Sequence, residues 1–587
     1  MKVRLAKTAG FCMGVRRAME RVLLVANNSK EKIYTYGSLI HNPQVLELLK
    51  KRGIETIEKL DGISSGTVVI RAHGIPPKER GAIKSSGLNI IDATCPRVGR
   101  VQAIVKRYTR KGYTPIIVGD KDHPEVIGLL GFSEGKGWVI DDPGAISTLP
   151  YLKKVVVVAQ TTQSEDVFNR VVEKAHRRFP ECKVFNTICP STLDRQAEVA
   201  ELARSVEGMI IVGGKNSGNT QRLVRIAKAT GVKTFHVETE AELDRKALSQ
   251  LKSVGVTAGA STPNWVIKRV LRELEGLEST HEGKWRNFAY RFLQFLLRSN
   301  LYVALGAGAL SFVSCLLQSI RPRPSYLLIA FLYTYAMHGL NHITDKDAEQ
   351  LNDPARAGFY ERYQNYLIFS GIVAVGIALF LAIVSLGMIP FAFLVSISVL
   401  GLLYNIPIVP WGQFKISQFK KLKDIPGSKT LSIAMGWGAV TSLIPAMDVN
   451  KIFSPSTLFA FLFVAALVYI RSGLFDILDI QGDQMVGKET IPIILGEKKT
   501  LYLLKVLCGF LAILLLLIPK AINPLLRYIL LVPVAYMAMC LIAYQRRWIL
   551  SGGTFEAIVE TNFLLTGLAT LVWYILFYEL KFTIYFI

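Results

Sequence analysis

The 587-residue chain is 51% hydrophobic with a mean hydropathy of +0.33, too apolar for an ordinary soluble protein. Its net charge of +24 admits nucleic acid as a partner, but a Lys/Arg excess on the inner face of a membrane protein explains it more simply, so no nucleic-acid partner is expected. Seven cysteines, an odd number without close pairing, argue against a disulfide framework, and the opening Met1–Val15 lacks the pattern of a secretory signal.

In chain order, β-branched runs predict strands at Thr67–Arg71, Thr114–Val118, Lys154–Val158, Met209–Val212 and Ser253–Thr257. Helix-like segments follow most of them, which predicts βαβ units with parallel sheets. A faint repeat places Cys12, Cys95 and Cys189 at comparable points, two of them in Cys-Pro pairs ahead of a polar helix. The expected fold class is therefore a three-lobed, pseudo-threefold α/β soluble domain, each lobe presenting one cysteine.

Near residues 277–284 the pattern lapses into a polar linker, and Trp285–Arg298 mixes aromatic, apolar and arginine residues in the manner of a helix lying in the membrane interface. Beyond it, apolar stretches approach the ~20 residues that span a bilayer. Roughly nine spans are expected, near 300–319, 325–341, 366–387, 389–406, 431–446, 456–471, 500–518, 526–544 and 562–579. The expected division is 1–279 soluble, 280–298 linker and interfacial helix, and 299–587 an all-α polytopic membrane domain. Basic connections from Lys415 to Lys429, from Lys488 to Lys499 and at Arg546-Arg547 put the N-terminal domain in the cytoplasm, although Arg321 and Arg323 fall on the opposite side. The expected location is the cytoplasmic (inner) membrane, with multiple passes through the lipid bilayer.

Cys12, Cys95 and Cys189 stand too far apart for a zinc knuckle or a ferredoxin run. Taken one at a time they read as buried thiols; together, each at a probable strand end, they suit an iron–sulfur cluster with one iron left open to substrate. His41, His73 and His123 occupy tight-turn contexts and form a candidate anion or metal site. Zinc is the alternative there, although no His-Glu-x-x-His or paired Cys-x-x-Cys is present. Gly213–Thr220, between a strand and a helix, offers backbone amides to a phosphate.

With Gly10-Phe-Cys-Met-Gly-Val, His41-Asn-Pro, Arg71-Ala-His-Gly, Asp92-Ala-Thr-Cys-Pro, His123-Pro-Glu-Val, Gln160-Thr-Thr-Gln, Gly214-Lys-Asn-Ser-Gly-Asn and Thr257-Ala-Gly-Ala-Ser-Thr-Pro in order, Met1 to about Leu274 resembles the 4-hydroxy-3-methylbut-2-enyl diphosphate reductases of the LytB type. The resemblance implies that Cys12, Cys95 and Cys189 ligate a [4Fe–4S] cluster. It implies that His41, His73, His123, Thr161, Ser217, Gly218, Asn219 and Ser261 contact the substrate, and that Glu125 and Thr161 relay protons. At Gly218 some relatives carry serine, and a backbone amide serves instead. An external electron donor such as ferredoxin or flavodoxin is implied as well.

In the membrane half, Asp476, Asp479 and Asp483 share one helix face at i, i+3 and i+7, as do Asn341, Asp345 and Glu349 at i, i+4 and i+8. Carboxylates at membrane depth are costly unless they bind something, and Mg²⁺ bridging Asn341, Asp345, Asp476, Asp479 and Asp483 to a diphosphate would account for them. The pattern resembles the UbiA superfamily of intramembrane prenyltransferases over roughly Arg298 to Leu580. The first motif departs from it: His342 and Glu349 stand where aspartates are usual, and the Arg-Pro-Leu after Arg356 is absent. Lys421 and Lys423 are placed to contact diphosphate. The rival readings are a non-catalytic anchor for this half and a cluster-bearing electron carrier for the soluble half.

Overall fold

Strands whose side chains are buried on both faces need cover above and below, which all-parallel sheets flanked by helices provide. The runs Thr67–Ile70 and Gly208–Val212 are buried at every position. The computed structural model describes all residues except 30, 278–283, 406–424, 518–523, 547–552 and 577–587. The chain divides into two units, Met1–Glu282 and Gly283–Ile587.

The first unit contains β1 (Lys2–Leu5), β2 (Ile33–Tyr36), β3 (Ile54–Ile57), β4 (Thr67–Ile70), β5 (Asn89–Asp92), β6 (Thr114–Val118), β7 (Trp138–Ile140), β8 (Lys154–Ala159), β9 (Glu181–Phe185), β10 (Gly208–Val212), β11 (Lys233–Val237) and β12 (Ser253–Ala258). They form three four-stranded parallel sheets, ordered β1-β12-β10-β11, β3-β2-β4-β5 and β7-β6-β8-β9. The first strand of the chain completes the sheet built by the last three, with Lys2 beside Ser253 in register. The three sheets share one plan: β12, β4 and β8 each lie between an edge strand (β1, β5 or β9) and a second inner strand (β10, β2 or β6). The three parallel sheets expected from the repeat are present.

Helices in the second unit begin with proline at several starts, including Pro324–Thr344, Pro354–Leu386 and Pro455–Val486, where its missing N–H costs nothing. Among the described residues, six helices are long and apolar enough to cross a membrane: Pro354–Leu386, Ser428–Asp448, Pro455–Val486, Glu497–Leu517, Leu525–Gln545 and Thr554–Tyr574. A seventh arises if Phe288–Arg298 and Leu301–Leu317, bent by 73° at their junction, count as one span. Asn300 makes that bend, in the left-handed conformation that asparagine tolerates. Helices also occupy Pro324–Thr344 and Met388–Asn405, where further spans are expected. The first carries Tyr, His and Asn, and the second has only 18 residues.

Candidate functional site: a cleft at the strand ends

In parallel sheets the carboxyl ends of the strands point the same way, so the loops that follow them converge. One cleft in the first unit is lined by Cys12, Cys95, Cys189, His41, His73, His123, Glu125, Thr161, Ser217, Gly218, Asn219 and Ser261. Every soluble-half residue singled out from the sequence is therefore in one place. The inner strands β2, β6 and β10 deliver theirs by the same step: His41, His123 and Ser217 each stand five positions past the strand's last residue.

The cysteines arrive by a second repeated device. Cys12, Cys95 and Cys189 are the N-cap residues of helices Met13–Asn28, Pro96–Arg110 and Pro190–Ala203. Their backbone N–H groups donate to Ala260 O (3.1 Å), Ala72 O (2.9 Å) and Thr161 O (2.9 Å), just past β12, β4 and β8. Each cysteine is thereby tied to the strand next to its own. Helix N-termini favour thiolate. A Cβ on Gly14 would lie 2.6 Å from Cys95 Sγ and 3.9 Å from Cys12 Sγ, so both sulfurs face the same small volume. Burial raises the Cys95 thiol, the amides of Arg97 and Val98 lower it, and the charges of Cys12 and Cys189 raise it again. Three thiolates so placed repel one another unless cations join them. Among the described residues the three sulfurs do not gather within 4.8 Å, the spread of a single-ion site. A four-iron cluster, wider than one ion, fits this donor set.

The histidine rings form a triangle, with centroids 4.6 Å (His41–His73), 5.4 Å (His41–His123) and 5.3 Å (His73–His123) apart. Burial is the main reason all three lie below the usual imidazole range; for His123, lowered to about 4, the charge of His41 adds to it. His123 caps the helix Pro124–Gly131, its Nδ1 accepting from Glu125 N–H at 3.2 Å, so its proton sits on Nε2. His41 Nε2, His73 Nδ1 and Asn219 Nδ2 are buried without a hydrogen-bond partner. Such atoms are costly unless a ligand satisfies them. Ser217 caps the helix Gly218–Ala229, which opens with Gly218 and Asn219, and Ser261 Oγ donates to His41 O at 3.0 Å.

Glu125 is 1% exposed. It accepts the backbone N–H of Thr161 on Oε1 and the Thr161 hydroxyl on Oε2, both at 2.7 Å. Burial pushes its carboxyl up to about 7, against the lowering effect of those two bonds. It is thus a carboxyl that carries a proton near neutral pH.

Three contributors escaped the sequence reading. Arg195 is buried and donates to Ala258 O (2.5 Å) and Gly10 O (3.0 Å), linking the Cys189 helix to the Cys12 loop. Arg222 Nη2 bonds both Asp120 oxygens at 2.7 Å beside Gly218. Gly14 is small where the sulfurs approach. No local pattern marks Arg195 or Arg222, because their partners are distant in sequence; Gly14 lies inside the Gly10-Phe-Cys-Met-Gly-Val motif, but its approach to Cys95 is equally distant.

In the second unit, Asn341, Asp345, Asp476 and Asp479 line one cavity with Glu349, Arg356, Lys429, Arg471 and Glu560. Asp345 Oδ2 is held by Lys429 (3.0 Å) and Lys488 (2.9 Å). Thr430 donates to Asp476, and Asp483 is turned to Asn352 Nδ2 at 3.0 Å. Glu349 pairs with His342 at 2.6 Å, so the two departures from the aspartate pattern meet each other. Lys421 and Lys423 lie outside the described residues; the lysines seen on the acidic cluster are Lys429 and Lys488. Magnesium is ordinarily held by one or two carboxylates together with phosphates and water, so Asp476 and Asp479 form a sufficient donor set.

Fold and cleft thus define an α/β protein with a thiolate, imidazole and carboxyl site, joined to a helical membrane unit. Residues 3–275 match the family described as "LytB protein", and residues 309–552 match the "UbiA prenyltransferase family". The 4-hydroxy-3-methylbut-2-enyl diphosphate reductase of Trichlorobacter lovleyi is 43% identical over 281 residues, covering 48% of this chain and 100% of that protein. The chain belongs to the LytB family. A solved (E)-4-hydroxy-3-methyl-but-2-enyl diphosphate reductase is 44% identical, at a TM-score of 0.39 over 47% of this chain and 99% of that one. A UbiA homolog from Archaeoglobus fulgidus, solved with GPP and Mg²⁺, is 15% identical, at a TM-score of 0.34 over 48% of this chain and 99% of that one.

Proposed function

We propose that the first unit reduces 4-hydroxy-3-methylbut-2-enyl diphosphate to isopentenyl and dimethylallyl diphosphate, using a [4Fe–4S] cluster held by Cys12, Cys95 and Cys189. The observation that carries this reading is a single cleft holding three thiols at helix N-cap positions, three imidazoles and a buried carboxyl. When bound, the cluster would relay the two electrons one at a time and offer an iron with an open position acting as a Lewis acid. The chain's residues do the rest. Ring N–H groups of His41, His73 and His123, the Ser217, Ser261 and Asn219 side chains and the Gly218 amide hold the diphosphate. Glu125, still protonated, gives its proton to the departing hydroxyl, which leaves as water, and Thr161 orients the carboxyl. A second proton goes to either end of the allylic system, so two electrons and two protons balance the loss of water. The electrons come from an external donor such as ferredoxin or flavodoxin. An anaerobic assay of the full chain tests this: turnover in the native chain and its loss in Glu125→Gln are expected, and equal turnover in both contradicts the assignment.

The second unit is proposed as a membrane prenyltransferase of about nine spans, beginning near residue 299 after an interfacial helix, with the first unit on the cytoplasmic side. Mg²⁺ held by Asp476 and Asp479 would neutralise a prenyl diphosphate, with Lys429 and Lys488 released from Asp345 to join it. The ion pairs that occupy Asp345 and Glu349 favour a second reading, a non-catalytic anchor. Asp479→Ala separates the two. Loss of prenyl transfer with reduction intact supports the transferase; no prenyl transfer by the native chain supports the anchor.

A further inference from the structure

We infer that His41, His73 and His123 also form a binding site for a borderline divalent cation, with zinc the best fit, and that the cation and a hydrogen-bonded diphosphate compete there for the same ring nitrogens. Metal binding itself is independent of the reductase reading; the competition rests on it.

One ring nitrogen from each of the three histidines lies within 4.8 Å of the others, and among the described residues no other group of three His, Cys, Asp or Glu side chains gathers so tightly. Zinc is commonly held by three imidazoles at about 2.0–2.1 Å, with a fourth position left to water. Around such a zinc the nitrogens stand about 3.3 Å apart, so the rings need to close in by about 1.5 Å at most. Little holds them back: His41 Nε2 and His73 Nδ1 are buried with no hydrogen bond to break. His123 has one bond to release, the 3.2 Å contact from Glu125 N–H to Nδ1. A neutral hydrogen bond of that kind is worth roughly 0.5–1.5 kcal/mol net. The three rings come from the ends of three different strands, β2, β4 and β6, so the sheets hold the triangle together.

The competition follows from what an imidazole nitrogen can do. Toward a phosphate oxygen it must carry a hydrogen and donate; toward a cation it must present its lone pair. One nitrogen cannot do both at once. A cation seated in the triangle thus removes the ring N–H donors proposed for the diphosphate, leaving it at most an oxygen contact to the cation's own fourth position. Cys12, Cys95 and Cys189, occupied by the cluster in the holoenzyme, are not its ligands.

Zinc K-edge absorption spectroscopy of the full-length, cluster-loaded chain with one equivalent of zinc tests this. Three imidazoles and no sulfur around zinc are expected, with the three-imidazole signature lost in His73→Asn and in His41→Asn. Sulfur neighbours, no bound zinc, or a spectrum unchanged by both substitutions overturns the inference. The native spectrum alone decides if a variant fails to fold. Zinc on three imidazoles in a cluster-loaded chain that already lacks reductase activity before zinc is added would sink the reductase reading and leave the metal site standing; zinc on sulfur in a chain active before zinc is added would do the reverse.

Discussion

Thr161 grips Glu125 with two hydrogen bonds of 2.7 Å, one from its amide and one from its hydroxyl. Both favour the charged carboxylate, yet burial outweighs them and holds the carboxyl at about 7. On the proposed mechanism the acid form is the proton donor, so turnover is expected to fall as pH rises through about 7. Thr161→Val deletes a bond that lowers the pKa, so the alkaline limb of the pH–rate profile moves to higher pH. Glu125→Gln cuts turnover by about 10²–10⁴-fold, the usual worth of a positioned acid, with a much smaller change in KM. A profile unmoved by Thr161→Val contradicts this coupling.

Gly14 sits where a Cβ would come within 2.6 Å of Cys95 Sγ. Contacts that short do not occur, so Gly14→Ala displaces either the helix start or the sulfur. Iron and sulfide per chain should fall well below those of the native protein while the circular dichroism spectrum is kept. Full iron content in Gly14→Ala argues against cluster ligation by Cys95.

The three histidines are mostly neutral in the free cleft, His123 having its pKa near 4. A bound diphosphate stabilises their charged forms, which raises those pKa values. Binding at pH 7 should therefore take up protons. Calorimetry of inorganic diphosphate binding in buffers of different ionisation enthalpy measures this directly, and zero uptake is the contrary result.

Arg195 ties two distant loops together from a buried position. Arg195→Met keeps the bulk but strands the carbonyls of Ala258 and Gly10. The expected loss is about 2–4 kcal/mol, since unsatisfied buried polar groups cost about 1–3 kcal/mol each. A lowered thermal midpoint of the first unit reports it.

What the sequence revealed follows the burial of the strands. The strands anticipated from β-branched runs are β4, β6, β8, β10 and β12, all interior to their sheets. The ones missed are the six edge strands and β2. An edge such as Asn89–Asp92 has a half-covered, mixed sequence, and β2 reads Ile-Tyr-Thr-Tyr, with no aliphatic run. The cysteines and histidines of the cleft were legible because each lies in a short turn motif close to Gly or Pro, whereas Glu125, Thr161, Asn219 and Ser261 were reached only through the family resemblance. Arg195, Arg222 and Gly14 were not legible, since what matters there is contact with chain 185, 102 or 81 positions away. In the membrane half, the acidic faces were readable from helical periodicity, but the lysines that occupy Asp345 come from other helices and loops.

The most direct test of the account is a Mössbauer spectrum of the full-length chain, purified without oxygen after growth on ⁵⁷Fe, alongside the single variants Cys12→Ser, Cys95→Ser and Cys189→Ser. One [4Fe–4S] cluster per native chain is expected, with one iron distinct from the other three, and loss of the cluster in each variant. A native chain without a four-iron signal, or variants that keep it intact, would contradict the central claim.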